Sequence, residues 1–272
     1  MTRILVTGGN GALGRVLVSK LDNNPAYTAR IMSRRSKPAD LRSTLEWAQA
    51  DLETGKGLEE AVADVQTVIH LATKFIHTRQ VDVEGTRRLI QLVRAAGVSH
   101  LIYISIVGVD RIPFAYYQCK LATEEVIADS GMPWTILRAT QLHYLLDLAL
   151  RALFKLPVGF WFTDMPDQPV AADEVADALC QCVAFGPSGR LPDMGGPEVL
   201  SGREIARTWL EVRGMHRAIV PIDLPGKAAD AFRNGYHTCP QNRQGQITWR
   251  EWVERKYARS PSLPAQSAHG LR

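Results

Sequence analysis

Apolar positions along this chain follow two alternating periods. Ile4, Leu5 and Val6 are consecutive apolar residues, the pattern of a strand covered on both faces of a parallel sheet. A glycine-rich stretch, Thr7 to Gly14, comes next, and Arg15–Leu21 then carries Val16, Leu17 and Leu21 at helical spacing. The rhythm repeats. Further strands are predicted at Tyr27–Ser33, Leu45–Ala50, Thr67–Leu71, Leu101–Ser105 and Trp134–Leu137, with helices at Gly57–Ala63, Val81–Ala96 and Ala115–Ser130. In Val81–Ala96 the buried side is Val83, Leu89, Ile90, Leu92 and Val93, and Gly97 is a C-terminal stop. Strands alternating with helices in this way predict an α/β fold, a Rossmann-type doubly wound parallel sheet over residues 1–141.

From about Leu142 the pattern changes. Helices are predicted at Leu142–Leu156, Ala172–Ala184, Ser201–Val212, Ala228–Asn234 and Thr248–Lys256, and a strand at Ala218–Ile222. Ser201 with Glu204 three positions on reads as a capping box. Pro157–Pro169 reads as a loop carrying Phe160, Trp161 and Phe162. Residues 142–258 are expected to contribute to the sheet edge and the substrate pocket. The small, polar, proline-containing stretch 259–272 is expected to be a disordered tail.

Composition narrows the functional classes. The 272 residues are 46% hydrophobic and 22% charged, enough to bury the core of one large domain with a smaller appendage. A net charge of +4 is mild and scattered, with no clustered basic stripe, so nucleic acid is not expected as a partner. Cys119, Cys180, Cys182 and Cys239 have no zinc spacing, so no metal is expected and a reduced compartment is the plain reading. No run reaches membrane-spanning length and none resembles a signal peptide. A cytoplasmic protein, monomer or homodimer, acting on a small molecule away from membranes is expected.

The chemistry starts at the glycines. Gly9, Gly11 and Gly14 satisfy G-x-G-x-x-G, and Gly8, Gly11 and Gly14 an overlapping G-x-x-G-x-x-G, between a strand and a helix start. Glycines there let the backbone turn tightly and let a pyrophosphate approach it, while the helix N-terminus offers free N–H groups to the anion. After the second strand, where an NAD site would carry an acid for the ribose, this chain has Ser33-Arg34-Arg35. A guanidinium pairs well with the 2′-phosphate of NADP, so NADP(H) is the expected cofactor. Tyr116 and Lys120 are four apart and share a helix face, and Ser105 ends the preceding strand. An ammonium beside a phenol lowers its pKa, and the phenol then gives a proton to a carbonyl oxygen as hydride reaches the carbon. Tyr117 is one step round the helix and is the alternative acid or wall residue. His70 sits on a buried strand; His143 is a candidate either for touching substrate or for a structural place.

Taken together, the motifs resemble the atypical short-chain dehydrogenase/reductases of the NmrA-like NAD(P)-binding group. They are Thr7-Gly8-Gly9-Asn10-Gly11-Ala12-Leu13-Gly14, Asp51-Leu52, Val68-Ile69-His70-Leu71-Ala72, Asp82-Val83-Glu84-Gly85-Thr86, Tyr103-Ile104-Ser105, Tyr116-Tyr117-Gln118-Cys119-Lys120 and Gly131-Met132-Pro133-Trp134-Thr135-Ile136-Leu137-Arg138. The resemblance implies that Thr7, Gly8, Asn10, Gly11, Ala12 and Leu13 wrap the pyrophosphate and that Arg34 and Arg35 meet the 2′-phosphate. Asp51 and Leu52 would contact adenine, Leu71, Ala72 and Thr73 would run along the cofactor, and Lys120 would hold the nicotinamide ribose. Ala139 to Gln141 would lie on the nicotinamide. Pocket walls would come from Val107, Tyr116, Gln141, Tyr144 and the loop holding Trp161. Two positions depart from the family's pattern: Asp82 stands where asparagine is usual, and Ala139 where proline is. Two functional classes share these motifs, an NADPH-dependent reductase of a small apolar carbonyl or quinone, and a non-catalytic NADP(H) sensor acting on a partner protein.

Overall fold

The computed structural model describes residues 1–75 and 78–258. Its first half runs β1 (Thr2–Thr7), α1 (Ala12–Asp22), β2 (Tyr27–Ser33), β3 (Glu46–Gln49), α2 (Leu58–Val62), β4 (Thr67–His70), a π-helical turn (Arg79–Glu84), α3 (Gly85–Ala95), β5 (His100–Ile106), α4 (Ala115–Ala128) and β6 (Trp134–Ala139). The second half runs α5 (His143–Leu153), β7 (Val158–Trp161), β8 (Pro166–Asp167), α6 (Ala172–Phe185), β9 (Gly189–Arg190), β10 (Leu200–Ser201), α7 (Gly202–Val212), β11 (Ala218–Pro221), α8 (Lys227–Arg233) and α9 (Trp249–Tyr257). The expected tail, 259–272, lies outside the described residues.

Seven parallel strands lie in the order β3-β2-β1-β4-β5-β6-β9. The order reverses direction between β1 and β4, which is where ligands enter such sheets. The consecutive apolar residues of each strand divide between two cores by the two-residue period of the pleat. Leu5, Val68, Leu101, Tyr103 and Ile136 face α2, α3 and α4, meeting Leu58, Leu89, Val93 and Ile127. Ile4, Val6, Ile69, Ile102 and Leu137 face the other way, onto Leu13 and Leu17 of α1 and Val175 and Leu179 of α6. The seventh strand, β9, was not predicted; two residues are too few to carry a period.

The aromatic segment expected as a loop is the strand β7, parallel to β11. Its residues alternate, Val158 and Phe160 outward, Gly159 and Trp161 inward, a period of two that proline and glycine neighbours obscured. Trp161 packs with Leu146, Leu150 and Trp209, and its Nε1 donates to the Gly202 carbonyl at 2.8 Å. The capping box of α7 forms, Ser201 with Glu204. Buried Asp147 on α5 holds the end of the described chain: Trp209 Nε1 donates to it at 2.8 Å, Lys256 Nζ at 2.6 Å, and the Tyr257 hydroxyl also donates.

Of the four histidines buried among the described residues, His70, His100 and His143 are held neutral. Burial, with Lys120 nearby, pushes His70 down to about 3. Burial alone pushes His100 to about 4, and burial pushes His143 to about 3. Unfolded, each would titrate near about 6.5. Because the folded values are depressed, their contribution to stability is complete above about pH 6.5 and is lost as pH falls toward 4 and below. The urea midpoint is therefore expected to drop steadily between pH 7 and pH 4; a midpoint flat over that interval contradicts the assignment.

Candidate active site

The cleft, about 410 Å³, opens at the C-terminal ends of β1, β4, β5 and β6. Its floor depends on a close approach of two chain segments. Gly8 has φ +69°, and a Cβ there would stand 2.9 Å from the Ala72 nitrogen. A Cβ on Gly14 would stand 2.3 Å from the Gly8 carbonyl oxygen. Both positions thus require glycine, and the empty space beside them forms a backbone cradle at the start of α1.

Thr7 is buried under that cradle, outside the cleft lining, because its hydroxyl is occupied within the protein. Thr86 Oγ1 donates to the Asp82 carbonyl, so it accepts from His70 Nε2, 2.9 Å away. His70 Nδ1 then carries the lone pair and accepts from Thr7 Oγ1 at 2.6 Å. Thr7 Oγ1 in turn accepts from the N–H groups of Leu71 and Ala72, each at 3.2 Å. A hydrogen-bonded row thereby ties the glycine turn to the loop after β4 and to the π turn.

Of the residues expected to hold the cofactor, Gly8, Asn10, Gly11, Ala12 and Leu13 line the cleft, as do Arg34, Asp51, Leu52, Leu71, Ala72, Thr73 and Lys120. Arg34 is exposed and also borders a neighbouring depression lined by Lys37 and Lys56. Arg35 is exposed but outside both linings; its carbonyl accepts from Trp47 Nε1 at 3.1 Å, which fixes the backbone there.

Ser105, Tyr116, Gln141 and Tyr144 also line the cleft. Ser105 is 2% exposed, and its Oγ is buried with no hydrogen-bond partner among the described residues. Such an atom is a costly feature unless a ligand completes it. With the cradle at one end and this hydroxyl at the other, the cleft fits a dinucleotide. Lys120 is 2% exposed; its Nζ donates to the Ile104 carbonyl at 3.2 Å, lies 3.8 Å from Asp82 Oδ1 and stands 4.3 Å from the Tyr103 ring centre. Burial lowers the Lys120 pKa, and Asp82 and Glu124 oppose that shift.

The structure corrects several expectations. Tyr116 is not made more acidic by Lys120: burial first, then Asp82 and Tyr144, hold its phenol above the ordinary value, against a hydrogen bond with Thr73. Tyr117 turns away into a small core with Val109, Ile112 and Ala231, so of the two tyrosines only Tyr116 reaches the cleft. Val107 is buried and Trp161 belongs to the core around α7; neither lines the cleft, since both side chains pack inward. His143 is fully buried against Trp249 and Trp252 and cannot touch a substrate in the cleft.

Asp82 and Phe75 were not foreseen as contributors, and Thr73 was expected only along the cofactor. Asp82, 1% exposed, accepts from Thr73 Oγ1 at 2.7 Å and from the Lys74 N–H at 3.2 Å. Its signal was an acid between Val81 and Val83 on the buried side of a helix-patterned stretch. Thr73 joins Asp82 to Tyr116, whose hydroxyl is 3.1 Å away. Phe75, 69% exposed, stands over Tyr116 with ring centres 5.4 Å apart.

The chain belongs to the NAD(P)H-binding family, whose model matches residues 8–184. It is 28% identical over 242 residues to (4-alkanoyl-5-oxo-2,5-dihydrofuran-3-yl)methyl phosphate reductase of Streptomyces griseus, over 85% of this chain and 79% of that one. It is 27% identical over 246 residues to quinone oxidoreductase 2 of Escherichia coli, covering 84% of each. The solved structure of the NADPH-dependent quinone oxidoreductase QOR2 of Escherichia coli with NADPH matches with a TM-score of 0.77 at 19% identity, over 93% of this chain and 99% of that one, a likeness of fold. Over 146 residues, half of this chain and 44% of the other, it is 31% identical to the photosystem II assembly factor Ycf39 of Synechocystis. It spans about a quarter of the length of an uncharacterized Mycobacterium tuberculosis relative, at 24% identity. These relatives set the chain among NAD(P)H-binding proteins of oxidoreductase type.

The buried row under the cradle makes a direct prediction. Thr7→Val keeps the side-chain size but leaves His70 Nδ1 and the Ala72 N–H without their partner, while the Leu71 N–H keeps the Thr7 carbonyl. It is expected to cost about 1–3 kcal/mol in urea unfolding, and an unchanged midpoint would show that the row contributes nothing.

Proposed function

We propose that this chain is an NADPH-dependent reductase of a small, largely apolar carbonyl or quinone substrate. The observation that carries the reading is one cleft that joins the glycine cradle to two hydroxyls, the unpartnered Ser105 Oγ and the Tyr116 phenol. Gly8, Asn10, Gly11, Ala12 and Leu13 would hold the pyrophosphate on backbone N–H groups. Arg34, with Lys37 beside it, gives the adenosine end a positive charge suited to a 2′-phosphate. Asp51 and Leu52 would flank the adenine, and Lys120 would reach the nicotinamide ribose. Thr140 and Gln141 border the far end of the cleft, where the nicotinamide would lie.

A dinucleotide held there would supply the hydride for the substrate carbon. Ser105 holds the substrate oxygen, and Tyr116 gives it a proton. Because its phenol is held above the ordinary value, Tyr116 is protonated at neutral pH and serves as a donor, not a base. Phe75 and Tyr144 supply apolar surface beside it, which suits a planar, weakly polar substrate. A second reading, a non-catalytic NADP(H)-binding regulator, draws on the likeness to the assembly factor over half the chain. It needs the cradle but gives no use to the Ser105 and Tyr116 hydroxyls.

NADPH oxidation across a panel of quinones, aromatic ketones and enones separates the two. Turnover that falls about 10²–10⁴-fold in Tyr116→Phe is expected; full turnover in that variant removes Tyr116 as the donor, and tight NADPH binding with no oxidation of any panel member favours the regulator. Arg34→Asp is expected to weaken NADPH by about 10–100-fold, the size of one lost charge-assisted contact, and to leave NADH little changed. Equal NADPH affinity in calorimetry would show Arg34 to be a surface residue only.

A further inference from the structure

Asp82 is buried beneath the cleft, and the reduction just described gives it no part. Its hydrogen bonds nevertheless determine where the Tyr116 proton points. A hydroxyl has one hydrogen to donate. Thr73 gives its hydrogen to Asp82 Oδ1, 2.7 Å away. The 3.1 Å contact between Thr73 and Tyr116 is then made with the hydrogen of Tyr116. With Asp82 ionised, the phenol therefore aims its proton into the protein and its lone pairs at the cleft. One proton added at Asp82 Oδ1 reverses the row: Asp82 donates to Thr73, Thr73 donates to Tyr116, and the Tyr116 hydrogen faces the cleft.

We propose that Asp82, Thr73 and Tyr116 form a proton wire whose direction is set by Asp82, and that the proton reaching the substrate oxygen originates on Asp82. The proposal rests on the reductase reading above. As the substrate carbon accepts hydride, its oxygen bonds to the Tyr116 hydrogen and the phenol O–H bond breaks. Tyr116 takes the Thr73 hydrogen, and Thr73 takes the Asp82 hydrogen. One proton has moved from Asp82 to the substrate oxygen, and neither Tyr116 nor Thr73 keeps a charge. The Asp82 carboxylate that remains lies 3.8 Å from the Lys120 ammonium. That end state fits the 2.7 Å separation of Thr73 Oγ1 and Asp82 Oδ1. Thr73 is exposed in the open cleft, so water reloads the row after product leaves. Thr73 and Asp82 act only through Tyr116 and are positioning residues.

The surroundings of Asp82 allow both of its states. Burial pushes its carboxyl up, while Lys120, the Thr73 hydroxyl and the Lys74 N–H pull it back, leaving it above the ordinary carboxylate range. The other titratable groups that feel its charge are Tyr116 and Cys119 on α4 and Tyr103 on β5. Glu124 acts on Lys120 from further along α4. The loaded form needs Asp82 protonated, so the rate falls as pH rises through its titration.

The test uses the full chain with ¹³C-labelled Asp and Tyr, without cofactor. Asp82 Cγ is expected to titrate above the ordinary carboxylate range, and Tyr116 Cζ to shift with the same midpoint. In Thr73→Val, Asp82 still titrates but Tyr116 no longer follows; Thr73→Ser restores the link. A Tyr116 signal that stays flat in the unaltered protein, or still follows in Thr73→Val, overturns the wire. In single turnover at saturating NADPH, Thr73→Val is expected to slow the reaction about 10²-fold and to flatten its pH profile, with Thr73→Ser recovering both. Unchanged rate and profile in Thr73→Val also overturn it. Failure of the reductase reading looks different: Tyr116→Phe keeps full turnover, or no substrate oxidises NADPH, while the Tyr116 signal still tracks Asp82.

Discussion

The cleft exists because the chain leaving β1 lies within van der Waals contact of the chain leaving β4. A parallel sheet brings adjacent strands to a fixed spacing, but it does not bring their exit loops together. Here the approach is made by an absent side chain at Gly8 and a present one at Thr7. Gly8 lets the turn pass 2.9 Å, measured from where its Cβ would be, from the Ala72 nitrogen. The Thr7 hydroxyl accepts from the Ala72 N–H and shares the Leu71 N–H with its own carbonyl, which ties the two exit loops together. Neutral His70 carries the row on to Thr86, and Thr86 closes on the carbonyl of Asp82. The backbone that would meet a phosphate and the carboxylate that faces Lys120 are therefore parts of one hydrogen-bonded structure.

That coupling explains how the fold tolerates two charges with almost no access to water. A buried ion pair is held only when its remaining hydrogen-bonding groups are satisfied. Asp82 has Thr73 on one oxygen and the Lys74 N–H on the other. Lys120 has the Ile104 carbonyl and the face of the Tyr103 ring. The π-helical turn is what allows this, because it buries three successive residues, Val81, Asp82 and Val83. Turns of that kind interrupt a regular helix and occur often at functional sites.

The sheet and its two cores were legible from periodicity, since a strand buried on both faces must be apolar at every position, and Ile4–Val6, Thr67–Leu71 and Leu101–Ser105 are nearly so. Tyr27–Ser33 appears with the boundaries expected. The glycine cradle was legible because its geometry excludes any other residue. What spacing could not reveal is the direction a side chain takes once a second element packs on it. Val107 and Trp161 were placed at the cleft by the family resemblance, yet both are buried, Trp161 in the core shared by α5, α7 and α9. Thr73 was expected along the cofactor, but one threonine after a strand carries no sign of its place between Asp82 and Tyr116.

Tyr116 and Tyr117 show how little separates a core residue from a candidate acid. One residue along a helix is a rotation of about 100°. That rotation sends Tyr117 into the apolar contacts of Phe114 and Phe232 and leaves Tyr116 between Phe75 and the Thr73 hydroxyl. Both phenols are held above their ordinary value by burial, so acidity does not distinguish them. The distinction lies in hydrogen-bond connection. Tyr117 faces apolar rings and its hydroxyl makes no hydrogen bond to a side chain among the described residues. Tyr116 touches a hydroxyl that touches a carboxylate, so a proton leaving it has a successor. A donor that can be reprotonated through the protein differs from one that cannot, and the position of Thr73 is what sets Tyr116 apart.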